Sequence, residues 1–249
     1  MSSQTPRPGG EPSLHELADT GRLPDHQVMD RPTLDWIAHH RPTGPGVRAR
    51  LPQRPVLLVP NGLWFTRTQT ATSIHGVRHG ARVAVLVQLL AAIHGLAPGR
   101  GLALAAAAAC HDCRRRCDRD DPGHGRRAAD WLTERTASLE ATFRTAATTE
   151  AITAVALHDV PHNTFAHDQE RAYRQHQVAV DLLKAADALD RYRLPLARWW
   201  PDLNRLRLQL PAWAPVLAHD LVVGSERAHL DGATDTQALE HALQAVMPE

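Results

Sequence analysis

An all-α fold is what this sequence predicts, and three observations predict it. Hydrophobic residues make up 43% of the 249-residue chain but aromatic residues only 4%. The apolar content therefore comes from Ala and Leu, both strong helix formers, while strand-favouring Tyr and Phe are scarce. Apolar residues also recur at helical spacing through segments such as HGARVAVLVQLLAAIHG (79–95). Finally, Gly and Pro punctuate these segments where helices should stop or start.

Taken in order, residues 1–12 (MSSQTPRPGGEP) are polar and rich in Pro and Gly, and read as disordered. Between Ser13 and Gln53, short helical pieces (SLHELADTGRL, LDWIAHH) alternate with breakers such as RPTGPG, which predicts a loosely organised extension. PVLLVP (55–60) fits either a short strand or an extended buried segment, and periodicity does not choose between them. The helix through 79–95 stops near Gly95, with Pro98 and Gly99 beyond it. The next runs from about Leu102 into His111-Asp112. A charged link, CRRRCDRDDPG, leads to Pro122 at a helix start, and HGRRAADWLTER continues it. A helix over 147–158 ends on His158. A long one over 169–192 carries Asp187 and is stopped by Pro195. LNRLRLQL (203–210) and TQALEHALQAVM (236–247) are two amphipathic stretches. The chain thus divides into an irregular N-terminal extension (1–58), a helical body (59–200) and a C-terminal helical extension (201–249).

Charge and cysteine usage narrow the function classes. With 28 Lys+Arg against 27 Asp+Glu, the chain lacks the basic surplus of a dedicated nucleic-acid binder. Nearly all the basic residues are Arg; Lys184 is the one lysine. The three cysteines form a single cluster, Cys110, Cys113 and Cys117, and cannot build a disulfide framework. The N-terminus has no apolar signal core, and the longest apolar stretches are too short to span a bilayer. A soluble, cytoplasmic protein is expected, with no membrane partner.

Sixteen histidines are many for this length, and some fall in a pattern. His79 begins one predicted helix, His111-Asp112 closes the next after an alanine-rich run, and His124 begins a third. His158 ends a fourth, and Asp187 lies within a fifth. In a bundle of alternating helices, an end, a start and another end meet at one face, where side chains can converge on a metal. Imidazole suits Zn, Fe, Ni, Co and Mn, and carboxylate adds affinity for harder ions.

Three segments carry a further likeness: IHGVRHGARV (74–83), HDCRR (111–115) and DPGHGRRAA (121–129). They resemble the motifs Ile-His-Gly-x-x-His-x-x-Arg-Val, His-Asp-x-Arg-Arg and Asp-Pro-x-His-Gly-x-x-Ala-Ala of a bacterial subgroup of the HD-domain superfamily of metal-dependent phosphohydrolases. The matching region runs from Ser73 to Pro195, about half the chain. The resemblance implies an HD-domain-like helical bundle in which His79, His111, Asp112 and Asp187 hold one divalent ion. His124 and His158 would hold a second, with Asp112 bridging. It further implies hydrolysis of a small phosphorylated substrate, such as a nucleotide or cyclic nucleotide, by metal-bound hydroxide. Arg114 and Arg115 would grip phosphate oxygens. His75, four residues before His79, would share its face if the helix extends back that far. Asp190 is the alternative carboxylate to Asp187. The chain departs from the subgroup at Gly80, where an aromatic is usual, and at Cys110 and Cys113, where an apolar residue and serine are usual.

Other readings stand beside these. Cys110, Cys113 and Cys117 could in principle ligate zinc or an iron–sulfur cluster, but no second CxxC knuckle exists, so packing or partly exposed thiols, or a redox-sensitive pair, is the simpler expectation. Arg116 reads as a solvated charge. His162, His167 and His176 should face water, with His162 nearest to the pocket. Trp199, Trp200 and Trp213 should pack against the bundle. The same ligand order also serves HD-fold di-iron oxygenases that cleave C–C or C–P bonds, and a catalytically weak nucleotide-binding regulatory module is a third reading. The flanking regions could serve partners or a homodimer contact.

Overall fold

Apolar residues on nearly every face bury the helix that the sequence marks most strongly, Val77–Ile93 (α4): fourteen of its seventeen residues are buried. The computed structural model describes residues 11–45 and 54–247. The disorder expected for 1–10 lies outside the described residues, as do residues 46–53 of the N-terminal extension. Eleven α-helices and five short 3-10 turns are present among the described residues, with no strand. The fold is an all-α bundle, and no described helix is long and apolar enough to cross a membrane.

The core is built by α4, Pro98–Ala108 (α5), Thr149–Leu157 (α8) and His167–Asp190 (α9). In α5, Ala103 and Ala105 to Ala108 are no more than 4% exposed. Their small side chains let α5 lie against both α4 and α8. This helix begins at Pro98, four residues before the predicted start, because Pro fits the first turn where its missing N–H has no role. His124–Glu134 (α6) packs on α8. It begins at His124, two residues past Pro122, behind Gly123 in the left-handed region (φ 76°). The long α9 is interrupted at His176 and ends at Asp190, followed by a 3-10 turn, Arg191–Arg193.

PVLLVP adopts an extended path without strand pairing. The side chain of Gln88 captures its backbone, accepting from Val56 N (2.9 Å) and donating to Val56 O (2.8 Å). The segment 203–210 is not helical beyond one 3-10 turn, Leu203–Arg205. Two helices lie outside the predicted set, Thr136–Phe143 (α7) and Ala214–Leu230 (α10), and a third, Asp235–Val246 (α11), bears it out. The last coincides with TQALEHALQAVM, and α10 and α11 form a hairpin against α4.

The described part of the N-terminal region is better ordered than its sequence predicts. Leu14–Asp19 (α1) starts with a capping box from Ser13 and Glu16, and Arg31–His39 (α2) is capped by Asp30. Leu14, Met29, Leu34 and Ile37 bury against Ile74 in a second apolar cluster that also receives Trp36 and Trp200. Trp200 stays in the packing role expected of it, donating to Leu194 O at 2.8 Å. Trp213 packs half-buried on the main core. Trp199 instead lines a cavity, described next.

Candidate metal centre

All six predicted ligands arrive at one end of the bundle. His79 lies in the first turn of α4, His111 and Asp112 in the turn just past α5, and His124 at the first residue of α6. His158 caps α8, and Asp187 is in the last turn of α9. Two glycines permit this convergence. A Cβ on Gly80 would stand 2.2 Å from the Ala109 carbonyl oxygen, so only glycine lets α4 approach the end of α5 and set His79 beside His111. A Cβ on Gly125 would stand 2.6 Å from the Val155 carbonyl oxygen and 2.7 Å from His158 Nδ1. Gly125 therefore does the same for α6 and α8. Any larger side chain at position 80 would have no room here.

Each ligand histidine is oriented from behind. The Nδ1–H of His111 donates to Ala108 O, that of His124 to Asp121 O and that of His158 to Val155 O, all at 2.7 Å. Carbonyls cannot donate, so these three rings carry the proton on Nδ1. His79 Nδ1 donates to Asp190 Oδ2 at 2.8 Å. With the rings neutral, all four inward Nε2 atoms are therefore lone pairs, and they face one another: His79 to His111 at 3.1 Å and His124 to His158 at 3.0 Å.

Asp112 sits between these pairs. Its Oδ2 is 3.5 Å from His79 Nε2, while its Oδ1 is 3.0 Å from His124 Nε2 and 3.4 Å from His158 Nε2. Asp187 Oδ1 lies 3.4 Å from His79 Nε2 and 3.7 Å from His111 Nε2. Oδ1 of Asp112 is buried with no hydrogen-bond donor, an arrangement costly unless a cation supplies what a donor would. Electrostatics point the same way. Burial pushes His111 and His124 down, yet the negative charge of Asp112, joined by Asp187 at His111 and by Asp159 at His124, more than reverses this and raises both. The site thus draws positive charge, proton or metal ion, to these nitrogens. Burial also opposes ionisation of Asp112, but the charges of His111, Arg115 and His124 hold it well below the usual carboxylate range. The His/Asp groups could hold a metal ion, and they fit one better than they fit each other. No cysteine joins any such group among the described residues. Cys110 and Cys113 are buried, and burial raises both thiols.

A cavity of about 630 Å³ opens onto the site. His75 lines it, although α4 begins only at Val77, so the turn before the helix and not the helix itself brings it in. Its Nδ1 lies 2.9 Å from both Asp112 Oδ2 and Arg193 Nη2. Burial, together with the charges of Arg115 and Arg193, lowers His75 well below its ordinary value and keeps it neutral. Arg115 lines the cavity as predicted. Arg114 does not: it turns away and donates to the Trp64 carbonyl at 3.1 Å. Arg116 is exposed. His167 is exposed and His176 half-buried, and His162 bonds to Asp181 (3.1 Å) outside the cavity lining.

Three further residues matter here: Asp190, weighed above only as an alternative ligand to Asp187, and Lys184 and Arg193, which had no predicted role. Asp190 does not compete with Asp187 for the inward position but takes the opposite nitrogen of His79. Arg82 holds it in turn at 2.7 Å, and its carboxyl is held at about 2: burial opposes ionisation, and the charge of Arg82 overcomes it. Lys184 donates to His158 O and Val160 O, fixing the end of α8, and burial pushes it down to about 8. Arg193, 2% exposed, is a wall of the cavity. No motif in the sequence marks it. No family model, curated protein or solved structure matches the chain.

Proposed function

We propose that the chain is a metal-dependent phosphohydrolase of the HD type, holding one or two divalent ions and cleaving a small phosphate ester. The observation that carries this reading is the convergence of four Nε2 lone pairs, each fixed from behind, on the two oxygens of Asp112. His79, His111, Asp112 and Asp187 would hold a first ion; His124 and His158, sharing Asp112, would hold a second. Bound there, such ions lower the pKa of a coordinated water and offset negative charge on an attacked phosphate. Oriented imidazoles with carboxylates suit Mn, Zn, Fe, Ni or Co. Arg115, buried at the cavity wall, supports an anionic substrate. His75 accepts from Arg193 at Nδ1 in this reading, which leaves its Nε2–H as the proton it can offer.

The test is metal analysis of anaerobically purified protein beside His111→Ala and His158→Ala, followed by a phosphoester screen. Manganese, zinc, nickel or cobalt lost in both variants, with turnover lost in parallel, supports hydrolysis. Two irons per chain with oxygen uptake would replace this reading by a di-iron oxygenase acting on a C–C or C–P bond. Ligand affinity without turnover would replace it by a regulatory module. Absence of metal after reconstitution would sink every one of these.

A further inference from the structure

Four arginines are buried among the described residues: Arg78, Arg82, Arg115 and Arg193. They divide into two kinds. Arg78 bonds to Glu226 and Asp235, and Arg82 to Asp190 and Glu226, so carboxylates answer both charges. The two in the cavity have no carboxylate bond. Arg115 donates to Cys117 O (3.2 Å) and Arg119 O (2.8 Å), and its third nitrogen, Nη1, meets only the His124 ring. Arg193 donates to Ile74 O (2.7 Å) and to His75, and its Nη1 has no hydrogen-bond partner at all. The nearest carboxylates stand off at 3.9 Å (Asp112) and 3.8 Å (Asp190). A buried guanidinium whose hydrogen bonds go only to neutral groups, with its carboxylates at the limit of ion-pair reach, is under-compensated, and an anionic ligand offsets that cost.

A second layer lies outside the first. The chain leaving Asp112 carries Arg115 inside and Arg119 at the mouth; the chain leaving Asp187 carries Arg193 inside, with Arg191 and then Arg198 at the mouth. The outer three are exposed. Arg119 pairs with Asp25 and Arg198 with Asp19 of the N-terminal region, at 3.8 and 3.9 Å, exposed pairs that are worth little. Arg198 also lies over the Trp199 ring at 5.4 Å. Arg191 donates to the Trp199 carbonyl.

From these two layers we infer that the cavity takes a substrate carrying two phosphoryl groups, one against Arg115 and Arg193 beside the His/Asp cluster and the other on Arg119, Arg191 and Arg198 at the mouth. This rests on the phosphohydrolase reading and names its substrate class. A substrate with one phosphate would leave Arg119 and Arg198 to Asp25 and Asp19, and Arg191 to the Trp199 carbonyl.

The test titrates metal-loaded protein, by calorimetry, with alkane-α,ω-diol bisphosphates of two to six carbons and with the matching monophosphates. At least one bisphosphate should bind about tenfold more tightly than its monophosphate. The triple variant Arg119→Gln/Arg191→Gln/Arg198→Gln, changed only at exposed positions, should lose that gain and keep monophosphate affinity. Arg193→Gln should weaken both. If no chain length exceeds its monophosphate, or the gain survives in the triple variant, the two-phosphate inference falls and the phosphohydrolase reading stands. If neither kind of ligand binds the metal-loaded protein, both fall.

Discussion

His79 donates its Nδ1 proton to Asp190 across 2.8 Å, with both side chains sealed from solvent. That bond fixes which nitrogen of His79 faces the site, and Arg82 fixes Asp190 in turn through two bonds of 2.7 and 3.0 Å. Carboxylate–histidine pairs of this kind raise ligand basicity and set ring orientation. Asp190→Asn should therefore weaken metal binding about 10- to 100-fold while leaving all six ligand side chains in place. Competition against a chromogenic chelator measures this. Affinity equal to the parent protein would show that His79 is oriented by packing alone.

The charge chain behind Asp190 runs on through Arg82 and Glu226 to Arg78, all of it buried. Removing one member leaves an uncompensated charge in the core, at a cost of about 3–5 kcal/mol. Glu226→Ala is expected to lose that much stability in urea unfolding. Its effect on metal affinity should be smaller than that of Asp190→Asn, because it is three bonds removed from His79.

The two close approaches are testable in the same way. Gly80→Ala and Gly125→Ala each drive a methyl into a backbone carbonyl, and the helices must part to admit it. Overpacking of this kind costs about 1–3 kcal/mol, and here it also separates His79 from His111, or His124 from His158. Both variants should unfold earlier and bind metal more weakly. Gly99→Ala, with nothing within 4 Å, is the control and should do neither.

How much of this is legible in the sequence follows from where its information lies. The candidate metal ligands are readable because each is chemically distinctive and sits at or near the end of a periodic segment. The alanine run of α5 is readable for a related reason, since a helix of small residues must be a buried one. Arg193 is not readable: six residues past Asp187 and outside every quoted motif, it enters the cavity only through the 3-10 turn that ends α9. Asp187 and Asp190 both look like ligands in KAADALD. Only the rotation of α9 decides that one faces the Nε2 of His79 and the other its Nδ1. In 203–210, alternating Leu and Arg imitate an amphipathic pattern in a segment that tertiary contacts hold irregular. The His-Gly pairs at 79–80 and 124–125 were the signal for close helix approach, and they stand beside the ligands in both motifs.

Cysteine reactivity separates packing from ligation or redox chemistry at the Cys110–Cys117 cluster. Cys110 and Cys113 are fully buried and burial raises their thiols, whereas Cys117 is half-buried. Thiolate is the reactive form, so the two inner cysteines should be inert in the folded protein. A thiol titration should count one reactive group in native protein and three after denaturation. Three prompt thiols would contradict the packing described here.

The pH dependence of stability can be followed at a pair remote from the metal site. Arg41 donates two bonds, of 2.7 and 2.6 Å, to the carboxylate of Asp220 on α10, tying the N-terminal region to the hairpin. Burial opposes ionisation of Asp220, but the bonds from Arg41 and His219 win, and its pKa falls from 3.8 to about 2. A lowered folded-state pKa means that the unfolded chain binds the proton first. The stabilisation is therefore complete above about pH 4 to 5 and drains away as the pH falls through the interval between 3.8 and 2. The side chain is 30% exposed, so solvent screening reduces the contribution to about 1 kcal/mol. Asp220→Asn should cost about that much at pH 7 in urea unfolding, and the difference from the parent should shrink toward zero as the pH approaches 2. A difference that stays constant across this range would assign the loss to packing rather than to charge.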